Sequence, residues 1–294
     1  MASDGGWATH VISRLRSNLG VGLALAPFIV FIVLFEAIPI VVLLLGSIGW
    51  LEHPTLKYLT AVFAHPVYRK SVTNTLLVSA ISAVIGALAG TAIGYALTAT
   101  RHDRLRGALV ALANVTANSG GITLAFAFIT VIGVTGGLTI ALKVIGIDLY
   151  SFFTLYSFTG LIVVYIYFQV PLMIVLTLPA FAALRLEWRE ASTSLGGTTV
   201  DFWRRVGIPI LAPAIVAGAV LLFASGMGAF ATALALMGGQ SNVMTTQVSV
   251  LRQGEVIFDP SQADALATVL LVFVALAVVA YHLIQGRTLR WLKR

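Results

Sequence analysis

Long apolar runs alternate with shorter polar intervals along this chain. Six runs are long enough to cross a bilayer, whose hydrocarbon core needs about 20 helical residues. They cover residues 21–49, 72–98, 108–134, 158–184, 210–237 and 265–284. The first run is longer than the apolar part of a secretory signal, so we expect it to be retained as a span. The pattern predicts an all-α polytopic membrane protein with six transmembrane helices.

Composition and charge agree with this class. The chain is 59% hydrophobic and only 10% charged, whereas soluble domains carry about 25% charged residues. Thirteen of its 18 lysines and arginines lie before the first run, in the intervals 101–106 and 185–209, or after the last run. Because cytoplasmic loops concentrate positive charge, we expect both termini and the 185–209 interval in the cytoplasm. The net charge of +7 is then explained by basic loops that face anionic lipid, and no nucleic-acid partner is expected.

The sequence gives no sign of a metal site or a thiol site. It contains no cysteine, and its five histidines are scattered over different segments without ligand spacing. We therefore predict no bound metal and no catalytic residue.

The polar interval 185–209 has an internal order that an ordinary loop does not need. A segment from Leu184 to Leu195 without proline or glycine predicts a short helix, and Gly196-Gly197 would end it in the left-handed conformation. Thr198 or Thr199 could cap a second short helix, with Pro209 opening the span that follows. The sequence predicts a helix–turn–helix elbow between two membrane-length segments.

The same interval carries a resemblance to a known family. It contains Glu190-Ala191-Ser192, then Gly196 after three residues, and Val206, Ile208 and Pro209 after nine more. This resembles the EAA loop of ABC-importer permeases, E-A-A, three residues, G, nine residues, I-x-L-P, with conservative departures at Ser192, Val206 and Ile208. The resemblance implies a coupling helix that docks on an ATPase subunit, with these seven residues as the coupling site. It also implies the type I ABC-importer permease fold (MetI-like).

Further similarity covers most of the second to sixth runs, around Asn74-Thr75-Leu76, Tyr165 to Pro171, Leu236 to Gly239 and Asp259 to Ala265. It is strongest to the spermidine/putrescine-type group of permeases. The implied organisation is a cytoplasmic segment 1–20 and one permease domain, 21–294, with its core at 72–286 and the EAA coupling loop at 185–209. A polyamine or another small charged solute is the implied cargo, and the bacterial inner membrane the implied location.

The resemblance also implies partners. These are a dimer of ATP-binding cassette ATPases, a second permease, expected to be a homologue, and an extracytoplasmic substrate-binding protein. The chain has no Gly-x4-Gly-Lys-Ser/Thr phosphate loop, so ATP and Mg²⁺ are expected on the ATPase subunit and no cofactor on this chain. We therefore expect a transport subunit and not an enzyme.

Polar residues recur near the middle of several apolar runs, where they are costly in lipid. They are candidates for lining a substrate path: Glu36, Asn114, Asn118, Tyr165, Gln169 and Ser225. For Glu36, two interpretations are open: a wet path attracting a cationic solute, or a packing carboxylate beside the kink expected at Pro39. For the polar residues of the third run, two interpretations are likewise open: they line a path, or their side chains bond back to their own helix. Aromatic residues such as Tyr165 more often serve only in packing.

Gly86, Gly90 and Gly94, here called the glycine stripe, repeat every four residues in the second run. Small residues at this interval allow close helix packing, and dimerisation is the alternative use. A secondary transporter or channel is the alternative function for the whole chain. It would be expected to show inverted repeats or a broken ion-coordinating helix, and an intramembrane enzyme would need a catalytic constellation. The sequence shows none of these features.

Overall fold

The computed structural model describes residues 25–50, 53–100, 102–238, 242–253 and 258–292, with side chains as far as residue 284. The predicted cytoplasmic segment 1–20 lies outside the described residues. The helices are α1 (Leu25–Ser47), α2 (Lys57–Ala64), α3 (Pro66–Ala99), α4 (Asp103–Ala117), α5 (Ile122–Ile132), α6 (Gly137–Val144), α7 (Phe158–Ala182), α8 (Leu186–Ser194), α9 (Thr199–Gly228), α10 (Phe230–Met237), α11 (Met244–Gln253) and α12 (Pro260–Leu292).

Six helical segments of this part of the chain are long and apolar enough to cross a membrane, which confirms the predicted all-α fold with six spans. The third segment is Ile122–Val144, further along the chain than the expected 108–134. Two of the predicted spans are not continuous helices. The third, expected at 108–134, is broken between α4 and α5, where Gly121 has a φ of +82°. The fifth, expected at 210–237, is interrupted at Ala229 between α9 and α10. Neither interruption was predicted from the sequence, which indicated continuous apolar runs at both places.

The centre of the described fold is the contact between α3 and α7. The glycine stripe of α3 faces a matching row on α7, because Cβ atoms built at Gly86, Gly90 and Gly94 would meet Gln169, Met173 and Thr177 respectively. At Gly90 the built Cβ would lie 2.6 Å from the Val170 carbonyl oxygen. The two backbones approach as closely as small residues permit. The stripe is thus covered within this chain, and the dimerisation alternative was wrong.

Intervals expected to be external loops contain short helices. The short helix predicted from Leu138 to Ile145 is found as α6, but it forms part of the third membrane-length segment, Ile122–Val144, and not of an external loop. The helices α2 and α11 were not predicted. Backbone and side chain together hold α11 against α3: the Met244 N–H donates to Thr75 Oγ1 at 2.8 Å, and Asn74 Nδ2 donates to the Asn242 carbonyl at 2.9 Å. These two hydrogen bonds attach the start of α11 and the residues before it to the first turns of α3.

Candidate functional site

The turn of the elbow is built by two adjacent glycines after α8. The Gly197 N–H donates to the Ser192 carbonyl and the Gly196 N–H to the Thr193 carbonyl, both at 2.9 Å. This pair of bonds is the Schellman motif, which satisfies carbonyls left free at a helix end. Gly196 takes a φ of +80°, a conformation that side chains with a Cβ rarely adopt. The sequence-predicted helix end is found at the expected residue.

A capping box begins the helix on the other side of the turn. The Asp201 N–H donates to Thr198 Oγ1 at 3.2 Å, and the Thr198 N–H donates back to Asp201 Oδ2 at 3.0 Å. Two backbone donors that a helix start leaves free are thereby satisfied. The helix that begins here is not short, as expected, but continues through a π-helical stretch, Trp203–Gly207, into the fifth span. The elbow is therefore clamped on both sides of its turn.

An open groove of about 670 Å³ lies in the angle of the elbow. Four of the seven predicted coupling residues line it: Ala191, Ser192, Gly196 and Val206. The others lie elsewhere: Glu190 lines a separate shallow pocket with Arg189, and the exposed Ile208 and Pro209 are not among the lining residues of the groove.

Two apolar side chains that the sequence analysis did not select protrude from the elbow. Leu195 is 88% exposed and Val200 is 73% exposed, although both lie in the most polar interval of the chain. Leu195 also lines the groove. An apolar side chain at a polar turn is the signal that would have found them, because burying one stabilises a contact by roughly 1.5–3 kcal/mol.

Two of the predicted path residues, Tyr165 and Gln169, lie one turn apart on α7 and are 3% and 0% exposed. The Tyr165 hydroxyl donates to the Ala229 carbonyl at 2.8 Å, and Gln169 Nε2 donates to the Leu222 carbonyl at 3.3 Å. Both bonds join α7 to the fifth span, one of them at its interruption. Within this chain the two side chains fasten helices together.

The predicted path residues of the third span have a different setting. Asn114 and Asn118 are exposed, and each donates from Nδ2 to a carbonyl one turn earlier, of Val110 at 2.9 Å and of Asn114 at 2.8 Å. Both amides thus bond to their own helix, as serine and threonine commonly do in membranes. Their carbonyl oxygens and the open backbone from Asn118 to Gly121 form a polar surface at the break between α4 and α5.

The breaks in the third and fifth spans meet at Thr232. Its hydroxyl, 1% exposed, accepts a hydrogen bond from the Gly121 N–H at 3.1 Å and donates to the Gly121 carbonyl at 3.2 Å. Irregular backbone at membrane depth persists only where protein or water satisfies its polar groups. Thr232 was missed because nothing local in the sequence links it to Gly121, 111 residues away.

Glu36 and Ser225 are not part of this junction. Glu36 lies in a π-helical stretch of α1, Val33–Ala37, whose residues are all exposed, while the C-terminal part of α1 packs against α12. Ser225 is half-buried on α9, beside Gly226. The structure therefore separates the six predicted path residues into a buried pair, an exposed pair and two isolated positions.

No protein-family model matches this sequence. The sulfate transport system permease protein CysT of Salmonella typhimurium is 25% identical over 287 residues, covering 94% of this chain and 96% of the relative. The spermidine/putrescine transport system permease protein PotB of Haemophilus influenzae is 28% identical over 197 residues, covering 66% and 67%. Among solved structures, a bacterial ABC transporter involved in the import of the acidic polysaccharide alginate matches with a TM-score of 0.75 at 17% identity, covering 93% of this chain and 98% of that one.

The sequence similarity covers 94% of the chain, and the structural similarity covers 93% of it. The predicted family is confirmed at this level, and the spermidine/putrescine group is one of several among the relatives. The homologues of this chain are ABC-transporter permeases, and its fold is that of the ABC-importer permeases.

Proposed function

We propose that this chain is the permease subunit of a binding-protein-dependent ABC importer, coupled to a separate ATPase through the elbow. The observation that carries the proposal is the elbow itself: a doubly capped turn between two spans that presents Leu195 and Val200 to its surroundings. Apolar side chains held outward on a rigid polar turn suit a docking surface, since burial on a partner would remove them from water.

Rigidity supports a mechanical role for this turn. The Schellman bonds fix the end of α8, and the capping box fixes the start of α9. Because α9 continues unbroken from the capping box to Gly228, a displacement of the elbow would be transmitted along the fifth span as far as the junction at Ala229. Movement of an ATPase would in this way reach the middle of the membrane.

The exposed face of α1 supports a second permease subunit as a partner. Its most apolar stretch has no residue buried within this chain, yet the face includes Glu36. A carboxylate facing lipid at the centre of a span costs about 2.5–3.5 kcal/mol. A protein neighbour on this face would remove that cost by offering Glu36 a polar partner.

An external binding protein is the third proposed partner. The alginate transporter that shares this fold has been solved in complex with a pentasaccharide-bound periplasmic protein. The short helices α2 and α11 both lie in intervals expected outside, where such a protein would dock.

We propose that the transported solute is an inorganic oxyanion and not a polyamine. Relatives carry the names of sulfate, molybdenum, polyamine and thiamine permeases, and those that align over 94% of this chain are sulfate permeases. Glu36 is the only acidic residue inside the six apolar runs. A polyamine carries several cationic groups, which a single carboxylate could not pair, whereas an oxyanion needs no carboxylate along its path.

The coupling proposal is tested with Leu195→Glu. We expect the variant to lose co-purification of the ATPase and ATP-driven uptake, because a charge replaces the apolar anchor. Thr193→Glu is the control, since it places the same charge two residues earlier, in the last turn of α8 and outside the groove. Retained ATPase binding in Leu195→Glu would contradict the proposed docking surface.

The solute proposal is tested separately in reconstituted vesicles with the cognate binding protein. Radiolabelled sulfate and molybdate should enter on addition of ATP, and spermidine should neither enter nor compete. Uptake of spermidine without sulfate would assign the chain to the polyamine group.

A further inference from the structure

A second cavity, of about 400 Å³, lies where α3 and α7 end and the elbow begins. Its lining combines three arginines, Arg106 of α4 and Arg185 and Arg189 of the elbow, with the aromatic side chains of Tyr95 and Trp203. We call it the arginine pocket. Its volume is that of a site for a small ligand, and it is distinct from the groove in the angle of the elbow.

The floor of the arginine pocket is a fixed aromatic cluster. Tyr95 and Trp203 meet edge to face with ring centroids 5.0 Å apart, and Phe181 and Phe202 adjoin them at 5.9 and 5.8 Å. Phe181 and Phe202 are buried. Tyrosine and tryptophan near the ends of spans occupy the level of the lipid headgroups. The pocket therefore lies at the membrane interface and has an apolar base.

Its charges are unbalanced. The described ion pairs join Arg205 to Asp201 and Arg252 to Asp264, and none includes an arginine of the pocket. Arg185 and Arg189 stand four residues apart at the start of the same helix, where like charges repel. The nearest acidic residues along the chain, Asp103, Glu187 and Glu190, are not among the lining residues of this pocket, although Asp103 and Glu190 line adjoining pockets with Arg106 and Arg189. Three guanidinium groups around one cavity favour the binding of an anion.

We propose that the arginine pocket binds a tetrahedral oxyanion, the phosphate of an anionic phospholipid. Arginine binds phosphate oxygens through paired N–H donors, and basic pockets between spans on the cytoplasmic side bind anionic headgroups. The apolar base favours a lipid over a free ion, since it can contact the glycerol and first acyl carbons. A lipid here joins the α4 turn to the elbow and so stabilises the end of the elbow that is attached to α7.

The test measures lipid binding to the full-length chain, purified with whichever subunits accompany it, in a zwitterionic detergent. Native mass spectrometry counts bound phosphatidylglycerol against phosphatidylcholine. The pocket variant is Arg106→Gln/Arg185→Gln. Its matched control is Arg104→Gln/Arg204→Gln, which removes equal charge from the same two regions outside the pocket. Transport plays no part in the assay, so its result is independent of the proposed function.

We expect selective binding of phosphatidylglycerol, lowered by at least about tenfold in the pocket variant, since each arginine that contacts the headgroup contributes roughly fivefold. The control should lose less than about twofold, because its arginines do not line the pocket. Equal losses in both variants, or no selectivity over phosphatidylcholine, would overturn the proposal. Displacement of the lipid by millimolar inorganic phosphate would assign the pocket to a soluble oxyanion instead. Thermal unfolding of both variants in phosphatidylcholine checks their folding, and Arg106→Lys/Arg185→Lys replaces the pocket variant if it unfolds.

Discussion

Gly196 and Gly197 are neighbours in the elbow, but different constraints require a glycine at each position. A Cβ built at Gly196 has no atom within 4 Å, and only the φ of +80° excludes other residues. At Gly197, a Cβ would lie 2.8 Å from Ser192 Oγ and 2.9 Å from the Ser192 carbonyl oxygen. The first position is therefore limited by backbone conformation and the second by space.

This difference gives a prediction for Gly196. Gly196→Val should abolish ATP-driven uptake, because a β-branched residue strains the left-handed conformation by roughly 1–2 kcal/mol and shifts α8. Gly196→Asn should retain most of the uptake, since asparagine tolerates this conformation and the position has room. Uptake in reconstituted vesicles measures both. Equal activity of the two variants would mean that the shape of this turn does not matter for coupling.

Thr232 gives a second prediction at the same scale. Thr232→Val keeps the shape of the side chain but leaves the Gly121 N–H without its partner, at a cost of roughly 1–3 kcal/mol. We expect a lower thermal unfolding temperature and slower uptake. Thr130→Val is the control, because Thr130 is exposed and its hydroxyl donates only to the Phe126 carbonyl of its own helix. If Thr232→Val changes the unfolding temperature no more than the control does, other contacts hold the two breaks together.

At the scale of helices, the α3–α7 pair forms the most extensive contact in the described fold. The row from Gln169 to Thr177 fits the glycine stripe residue by residue, and α9 packs on both helices. The buried bonds of Tyr165 and Gln169 then attach α7 to the fifth span. The elbow, α7 and α9 are consequently connected at both ends, which is what transmission of movement requires.

Gly90→Ala tests this contact. The new methyl group would lie 2.5 Å from Met173 Cβ and 2.6 Å from a backbone carbonyl, so the two helices must separate, at a cost of about 1–3 kcal/mol. Gly107→Ala is the control within another helix, where the same methyl meets nothing within 4 Å and should stabilise α4 slightly. Unfolding in mixed micelles measures the stability of both variants. If Gly90→Ala does not lower the stability, the close packing of the two helices is contradicted.

At the scale of the whole molecule, the six spans form a multi-pass membrane protein, as expected for an inner-membrane permease. Its orientation remains a prediction from the distribution of lysine and arginine. The same orientation assigns the elbow and the arginine pocket to the cytoplasmic face, and α2 and α11 to the outer one.

The native chain contains no cysteine, so single cysteines can report this orientation. We expect Ser194→Cys, in the elbow, to react with a membrane-impermeant thiol reagent only from the cytoplasmic side. Lys57→Cys, at the exposed start of α2, should react only from outside. Labelling of both from one side would contradict the six-span topology.

The sequence by itself determined the features that depend on neighbouring residues. Span positions follow from local hydropathy, and the elbow follows from a glycine pair and a Thr-x-x-Asp cap whose bonds reach no further than five residues. The EAA spacing identified the same interval independently. The number of spans and the capped turn were predicted correctly because burial in lipid and helix capping are decided within one or two helical turns, whereas the coupling role of the EAA interval stays a prediction.

The tertiary structure alone decided what lies opposite each of these elements. Thr232 bonds to Gly121, 111 residues away, and Tyr165 bonds to Ala229, 64 residues away. The sequence around either residue therefore does not indicate the helix breaks or the hydrogen bonds that satisfy them. The arginine pocket likewise forms only where Arg106 and Arg185 approach from different elements. Apolar sequences specify a span but not its neighbour, because lipid and protein are equally apolar surroundings, and only close packing and hydrogen bonding select between them.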